Sequence, residues 1–366
     1  MLDQIGRLLG DLKRGYHSGR ARRPDEPLVA NLYRGYRSSE KLFLQGRVLE
    51  HEDVTVRPGD RRFTNFVNAL RRLETDEIAG AGVRVEYRGR HFDLVTDSEG
   101  YFQIHEEVDD DRVDDVWEPV TARITSLPAG EAPTEAFEGE VADLARTSEI
   151  AVVTDIDDTI LQTGITSLFK LRAVYRTLAD NAHTRMPFAG APELFEALHS
   201  GSGVVDEKNP VFYLSNSPWN LYGLLEEFLD VKGFPKAPIF LRDIGLPYEN
   251  SPQGGTHKEL TLKRLLADFP TLQFVLIGDS GEHDADIYNA AAEANPGRIK
   301  AVIIRNVKNN ANAQRIKRMF DRKAPEQHFY LVKDSATAAE RLERLGLLNE
   351  KQVETVRRSM RVGKAS

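Results

Sequence analysis

From about residue 150 to 332 the chain alternates short apolar runs with stretches of helical period. Ala151-Val152-Val153, Val211 to Leu214, Ile239 to Leu241, Phe274 to Ile277, Ala301 to Ile304 and Phe329 to Val332 are too short for helices and rich in β-branched or aromatic residues. Such runs predict strands buried on both faces. Between them, Pro218 to Leu229, His257 to Phe269, Asp286 to Ala294 and a stretch near Ala313 to Phe320 read as helices. Two more helices, Ala336 to Leu345 and Glu350 to Met360, close the chain. Repeated strand-helix units predict an α/β fold, a doubly wound parallel sheet with right-handed crossovers.

Upstream the period is different. Val83-Arg84-Val85-Glu86-Tyr87 alternates, Gly89 turns the chain, His91 to Thr96 continues, and Asp97-Ser98-Glu99-Gly100 turns it again before Tyr101 to Ile104. Short strands between turns predict a small all-β sandwich. The T-D-x-E-G-Y-F run resembles a hairpin of transthyretin-like and immunoglobulin-like domains. Phe63 to Leu73 reads as a helix, the acidic run at Asp109-Asp110-Asp111 as a solvated loop, and Pro128 to Glu138 as a linker.

The expected organisation is a basic, amphipathic segment over 1–29, the sandwich over 30–145, the α/β unit over 146–348 with a small cap at 160–187, and a C-terminal helix and tail over 349–366. A chain of 366 residues suits two domains at about 150 residues each.

Composition narrows the function classes. A formal net charge of −8 argues against a nucleic-acid partner, and the absence of Cys excludes disulfides, thiolate metal sites and a cysteine nucleophile. No apolar run approaches the roughly 20 residues of a membrane span, and the N-terminus lacks a signal-peptide core. The expected location is cytoplasmic, with peripheral contact to an anionic membrane as a further expectation, because Leu2, Ile5, Leu8, Leu9 and Leu12 precede a basic stretch.

The chemistry gathers at strand ends. The first strand runs into Asp155-Ile156-Asp157-Asp158-Thr159, and carboxylates this close repel unless a cation sits among them. Hard oxygen ligands suit Mg²⁺. An EF-hand calcium loop does not fit, since its Gly and Glu positions hold Ile160 and Thr166. The second strand ends in Ser215-Asn216-Ser217, a later helix opens with His257-Lys258, and the fourth strand ends in Gly278-Asp279-Ser280-Gly281-Glu282-His283-Asp284. Nucleophile, proton carrier, phosphoryl-oxygen donors, charge-balancing lysine and metal ligands are the parts phosphoryl transfer needs.

In order and type these motifs resemble the haloacid dehalogenase superfamily. Tyr213 to Tyr222, Phe240-Leu241-Arg242-Asp243, Thr256-His257-Lys258 and Phe274 to Asp284 look like the actin-patch-type phosphatidate phosphatases, a likeness over about residues 145–330. The resemblance implies Mg²⁺-dependent conversion of phosphatidate to diacylglycerol. Asp155 would be the nucleophile that becomes an aspartyl-phosphate, and Asp157 the acid and then the base. Ser215 and Asn216 would bind the phosphoryl group, and Lys258 would orient Asp155. Asp155, Asp157 through its carbonyl, Asp279 and Asp284 would make the metal site. Arg242, Asp243, His257, Glu282 and His283 are candidates for orienting roles. The proline-rich tail of the fungal family members is absent from this sequence, which puts their actin-patch partners in doubt.

The alternatives are a phosphatase of a soluble monoester, a lipid-binding or scaffold protein without activity, and a serine hydrolase with Ser280 as nucleophile. In the cap, Leu168, Leu171, Val174, Tyr175 and Leu178 follow helical spacing beside Lys170, Arg172, Arg176 and Arg185. That pattern fits a lid over a lipid phosphate and equally an amphipathic helix packed on the core.

Overall fold

The computed structural model describes residues 28–50, 77–109, 116–128, 130, 136–144, 148–156, 189–202, 208–242, 255–281, 283–307 and 311–362. Its first eight strands are β1 (Leu28–Leu32), β2 (Gly35–Arg37), β3 (Lys41–Glu50), β4 (Gly82–Tyr87), β5 (Arg90–Val95), β6 (Tyr101–Glu107), β7 (Trp117–Ser126) and β8 (Ala136–Asp143). They form one sheet in the order β1-β3-β2-β8-β7-β4-β5, with β6 also on β3. All pairings are antiparallel except β2 with β8. Leu42, Leu44 and Val48 of β3 share a core with Val83, Val85 and Ala122 from the other end of the sheet, so the sheet curls over itself.

Two turns are built as the sequence suggests. Tyr87 pairs with Arg90 across a two-residue turn in which Arg88 and Gly89 both take positive φ. At the next turn Asp97 Oδ1 accepts from the backbone N–H of Glu99 and of Tyr101, both at 2.9 Å. Gly100 is required there: at φ 78° a Cβ would lie 2.6 Å from Val48 O. The expected linker over Pro128 to Glu138 needs correction, because β8 begins at Ala136. Phe137 and Val141 alternate with Glu138 and Glu140 at strand period, a signal masked by the small and acidic residues between them. The expected segment 1–29, apart from its last two residues, the expected helix Phe63 to Leu73 and the cap at 160–187 fall outside the described residues.

The second sheet contains β9 (Ile150–Asp155), β10 (Val211–Pro218), β11 (Ile239–Arg242), β12 (Gln273–Asp279), β13 (Ile299–Arg305) and β14 (Phe329–Val332). It is parallel throughout, in the order β11-β10-β9-β12-β13-β14. Helices α1 (Ala191–Ser200), α2 (Tyr222–Val231), α3 (His257–Asp268), α4 (Asp284–Ala294), α5 (Ala311–Phe320), α6 (Ser335–Arg344) and α7 (Glu350–Val362) accompany it. Helix α1 adds to those expected, and the helix expected from Pro218 starts as a 3₁₀ turn, Trp219–Leu221.

Strand period two sorts the sheet's side chains between two cores. Val152, Tyr213 and Val275 pack with α1, α2, α6 and α7, whereas Ala151, Val153, Phe212 and Leu276 pack with α3, α4 and α5. Both faces are covered, which is why these strands read as unbroken apolar runs.

The sheets also meet each other. Tyr36 and Phe43 enter the same core as Phe212, Phe240 and Phe269, and Tyr33 stacks on Trp219 at 4.3 Å between ring centroids. Tyr36 Oη donates to Asp268 at 2.5 Å, and His105 Nε2 lies 3.0 Å from the same carboxylate. Arg34 pairs with Glu226 and Asp230, and buried Arg47 donates to Asn220 Oδ1 at 2.7 Å. Phe43, on the face of β3 turned away from its own core, is buried because it has a second core to enter.

Candidate active site

Parallel register brings the motif residues to one edge. Leu214 of β10 stands beside Asp155, and Ile277 of β12 beside Thr154, so Ser215 and Asp279 both emerge where β9 ends. Helix α3 begins with a capping box in which Thr256 Oγ1 accepts from Glu259 N and Glu259 Oε2 accepts from Thr256 N. This sets Lys258 in the first turn, facing the sheet. Helix α4 opens with Asp284 and Asp286, where carboxylates suit the positive end of the helix.

The outcome is a buried charge cluster. Lys258 Nζ lies 2.8 Å from Asp155 Oδ1 and donates to Asp284 Oδ1 at 2.7 Å. Asp155, Asp279 and Asp284 each offer an oxygen within 4.8 Å of the others. Asp284 Oδ2 accepts from Asp279 N at 3.3 Å, and Asp279 Oδ1 accepts from Gly281 N. All four side chains are at most 1% exposed. Three carboxylates facing this one ammonium leave two negative charges over, in a place where water cannot screen them. An all-oxygen, anionic donor set of this kind fits a hard divalent cation.

Gly278 makes the cluster possible. A Cβ there would come within 2.4 Å of Asp284 Oδ2 and 2.7 Å of its Cβ, so only a glycine lets the Asp284 side chain lie against the strand end. The residue was visible in the motif; its steric reason was not.

The other expected residues divide. Ser215 is fully buried and its Oγ accepts from Ser217 N at 2.9 Å, while neighbouring Asn216 is exposed. His257 is buried, and burial holds its imidazole down at about 3, so it is neutral at ordinary pH. Arg242 ends β11 and is exposed, as is His283. Asp157, Asp243, Glu282 and the basic cap residues Lys170, Arg172, Arg176 and Arg185 lie outside the described residues. Ser280 is no activated nucleophile: its hydroxyl meets Asn306 Oδ1 at 3.4 Å and Val307 N at 3.2 Å, and neither is a base. Sequence reasoning missed Tyr33, Tyr36 and Arg47, which lie far upstream and hold the elements that follow Ser215 and Lys258.

The parallel sheet carries this cluster at its carboxyl edge, and the stretch that holds it is similar to known proteins. Residues 150–306 match the family model described as phosphatidate phosphatase APP1, catalytic domain. The phosphatidate phosphatase APP1 of Saccharomyces cerevisiae is 33% identical over 158 residues, 43% of this chain and 26% of that protein. An uncharacterized protein of Schizosaccharomyces pombe is 28% identical over 218 residues, 59% of this chain and 34% of that one. The aligned stretches thus span only about a quarter to a third of these relatives. A solved carbohydrate acetylesterase from Xanthomonas citri covers 89% of this chain and 71% of its own, at 8% identity and a TM-score of 0.26, too slight a likeness to support any argument.

Proposed function

We propose that this chain is a Mg²⁺-dependent phosphatase that removes phosphate from a lipid monoester, phosphatidate to diacylglycerol, through an aspartyl-phosphate on Asp155. The observation that carries the reading is the buried Asp155–Lys258–Asp284 arrangement with Asp279 at the edge of the parallel sheet, within the stretch that matches the catalytic-domain family. In this reading the parallel sheet is a doubly wound, haloacid dehalogenase-like unit over 146–348, preceded by an immunoglobulin- or transthyretin-like sandwich over 30–145. The protein works in the cytoplasm, at a membrane surface. No helix among the described residues is long and apolar enough to cross a membrane.

The roles in this reading are those the motif implies, and the clustering of Asp155, Lys258, Asp279 and Asp284 supports them. An oxygen of Asp155 attacks phosphorus while the ester oxygen leaves, taking a proton from Asp157. Asp157, now a carboxylate, takes a proton from water as that water attacks the phosphoryl-aspartate; inorganic phosphate departs and Asp155 is regenerated. Lys258 orients Asp155 and adds positive charge beside the phosphoryl oxygens. Ser215 and the backbone after it hold those oxygens. Asp155, Asp279 and Asp284, with the Asp157 carbonyl that the motif implies, would hold Mg²⁺, which would supply charge neutralisation for the phosphoryl group.

A phosphate-release panel tests this, with phosphatidate, lysophosphatidate and soluble monoesters such as nitrophenyl phosphate and sugar phosphates, in Mg²⁺ or EDTA. Release in Mg²⁺ that EDTA abolishes, fastest with phosphatidate in vesicles, is the expected result. Full activity in EDTA removes the metal-dependent mechanism. A preference for soluble esters moves the substrate to that class, and no release with any ester leaves a non-catalytic lipid binder.

A further inference from the structure

The chain carries a formal net charge of −8, yet residues 311–323 hold Arg315, Lys317, Arg318, Arg322 and Lys323 against Asp321 as their one carboxylate. Four of these basic residues, Arg315, Arg318, Arg322 and Lys323, line a cleft of about 500 Å³ between α4 and α5 together with Glu293 and the half-buried Met319. Arg315 binds Asp286 through both nitrogens, at 2.6 and 2.8 Å, and Lys323 binds Glu293 at 2.7 Å. Arg318 and Arg322 make no ion pair among the described residues. Basic residues in the last turn of α5 suit the negative end of a helix. That accounts for Lys317 and Arg318, but not for Arg322 and Lys323, which lie past the helix, nor for a cleft that gathers them.

We infer that this cleft is a second anion site, which takes the phosphate group of an anionic phospholipid. Two planar guanidiniums without carboxylate partners match phosphate oxygens bidentately. Met319 and the methylene stems of the arginines give the less polar part of a headgroup something to lie on. Arg315 reaches Asp286 in the first turn of α4, while Arg318 and Arg322 lie at and beyond the end of α5, so the cleft leads away from the end of the sheet that holds the carboxylate cluster. The inference rests on the lipid reading proposed above.

The test is sedimentation of the full chain with vesicles of phosphatidylcholine alone, or mixed with phosphatidate or phosphatidylserine, for the unmodified protein and for Arg318→Ala/Arg322→Ala. Anionic vesicles should bind and neutral ones should not. The double substitution should weaken binding by about 10–30-fold, from the worth of two basic side chains at an anionic surface. Raising the salt to about 0.5 M should weaken it too. Hydrolysis of nitrophenyl phosphate should be unchanged, because neither arginine touches the carboxylate cluster. Equal vesicle affinity before and after substitution overturns the proposal. A melting temperature raised by inorganic phosphate only in the unmodified chain, with no difference on vesicles, would assign the cleft to soluble phosphate and overturn the lipid source. Absence of nitrophenolate release from the unmodified chain would strike at the phosphatase reading instead, while the vesicle comparison still decides the cleft.

Discussion

Asp155 is surrounded by charges that work against the fold as well as for the chemistry. Carboxylate oxygens within 4.8 Å of one another repel by about 3 kcal/mol per pair at an effective dielectric constant near 20, and Lys258 relieves only part of this. Asp155→Asn should therefore abolish turnover and phosphoenzyme formation while raising the melting temperature in EDTA by several degrees. A variant that is both inactive and less stable would show that Asp155 is needed for packing instead. Gly278→Ala should push Asp284 off its position, at a cost of about 1–3 kcal/mol for overpacking and a loss of activity on every ester. Near-normal kinetics from this variant would mean that the Asp284 side chain moves aside freely. His257 offers a pH test. With a value near 3 in the folded chain against about 6.5 unfolded, only the unfolded chain takes the proton between those limits. Its contribution to stability is full above about pH 6.5 and falls as pH drops towards 3, by at most about 1.4 kcal/mol per pH unit. The nearby cations Arg264, Lys258 and Arg242 push the imidazole down further. A melting temperature that falls with acid in the unmodified chain, and falls less in His257→Gln, is the expected record; identical slopes would discard it.

At the scale of elements, two helices that carry site residues in or just before their first turn are tied to the N-terminal sheet. Tyr36 and His105 hold Asp268 at the last turn of α3, whose first turn carries Lys258. Arg47 holds Asn220 in the turn between Ser215 and α2, and it also donates to Glu99 O at 2.8 Å and Glu77 Oε1 at 2.9 Å. Arg47→Met keeps much of the stem's packing but leaves buried acceptors with fewer donors. Its expected cost is about 3–5 kcal/mol, the range for breaking a buried ion pair. If the turn also sets Ser215, KM for a soluble ester should rise well below the melting temperature while kcat changes less. A lowered melting temperature with unaltered kinetics would reduce the contact to packing alone.

For the whole molecule, the family match and the physical unit do not coincide. Residues 150–306 omit Tyr36 and Phe43, which fill the core around Phe212, Phe240 and Phe269, and omit β14, which pairs with β13. That segment expressed alone would expose aromatic surface and an unpaired strand edge, so it should aggregate or bind hydrophobic dyes, whereas the full chain should unfold cooperatively. A well-folded, active 150–306 fragment would show that the upstream sheet is dispensable.

Much of this molecule was legible along the chain, for a local reason. Strand and helix periods are set by neighbours a few residues apart, so the runs at Val211, Phe274 and Phe329 marked their strands. Carboxylates at the ends of such runs could only be surface turns or a site. Asp155, Lys258, Asp279 and Asp284, all picked out at or near such ends, lie in one cluster in the structure. What only the tertiary structure decided is distance. Lys258 reaches Asp155 and Asp284 at once because β9 pairs with β12 while α3 and α4 pack on the same face, and no spacing in the sequence encodes a contact across a hundred residues. The same holds for Gly35-Tyr36-Arg37, an unremarkable run with no local mark that its tyrosine belongs to the other core. Burial at an interface depends on both partners at once, and each lies outside the other's window.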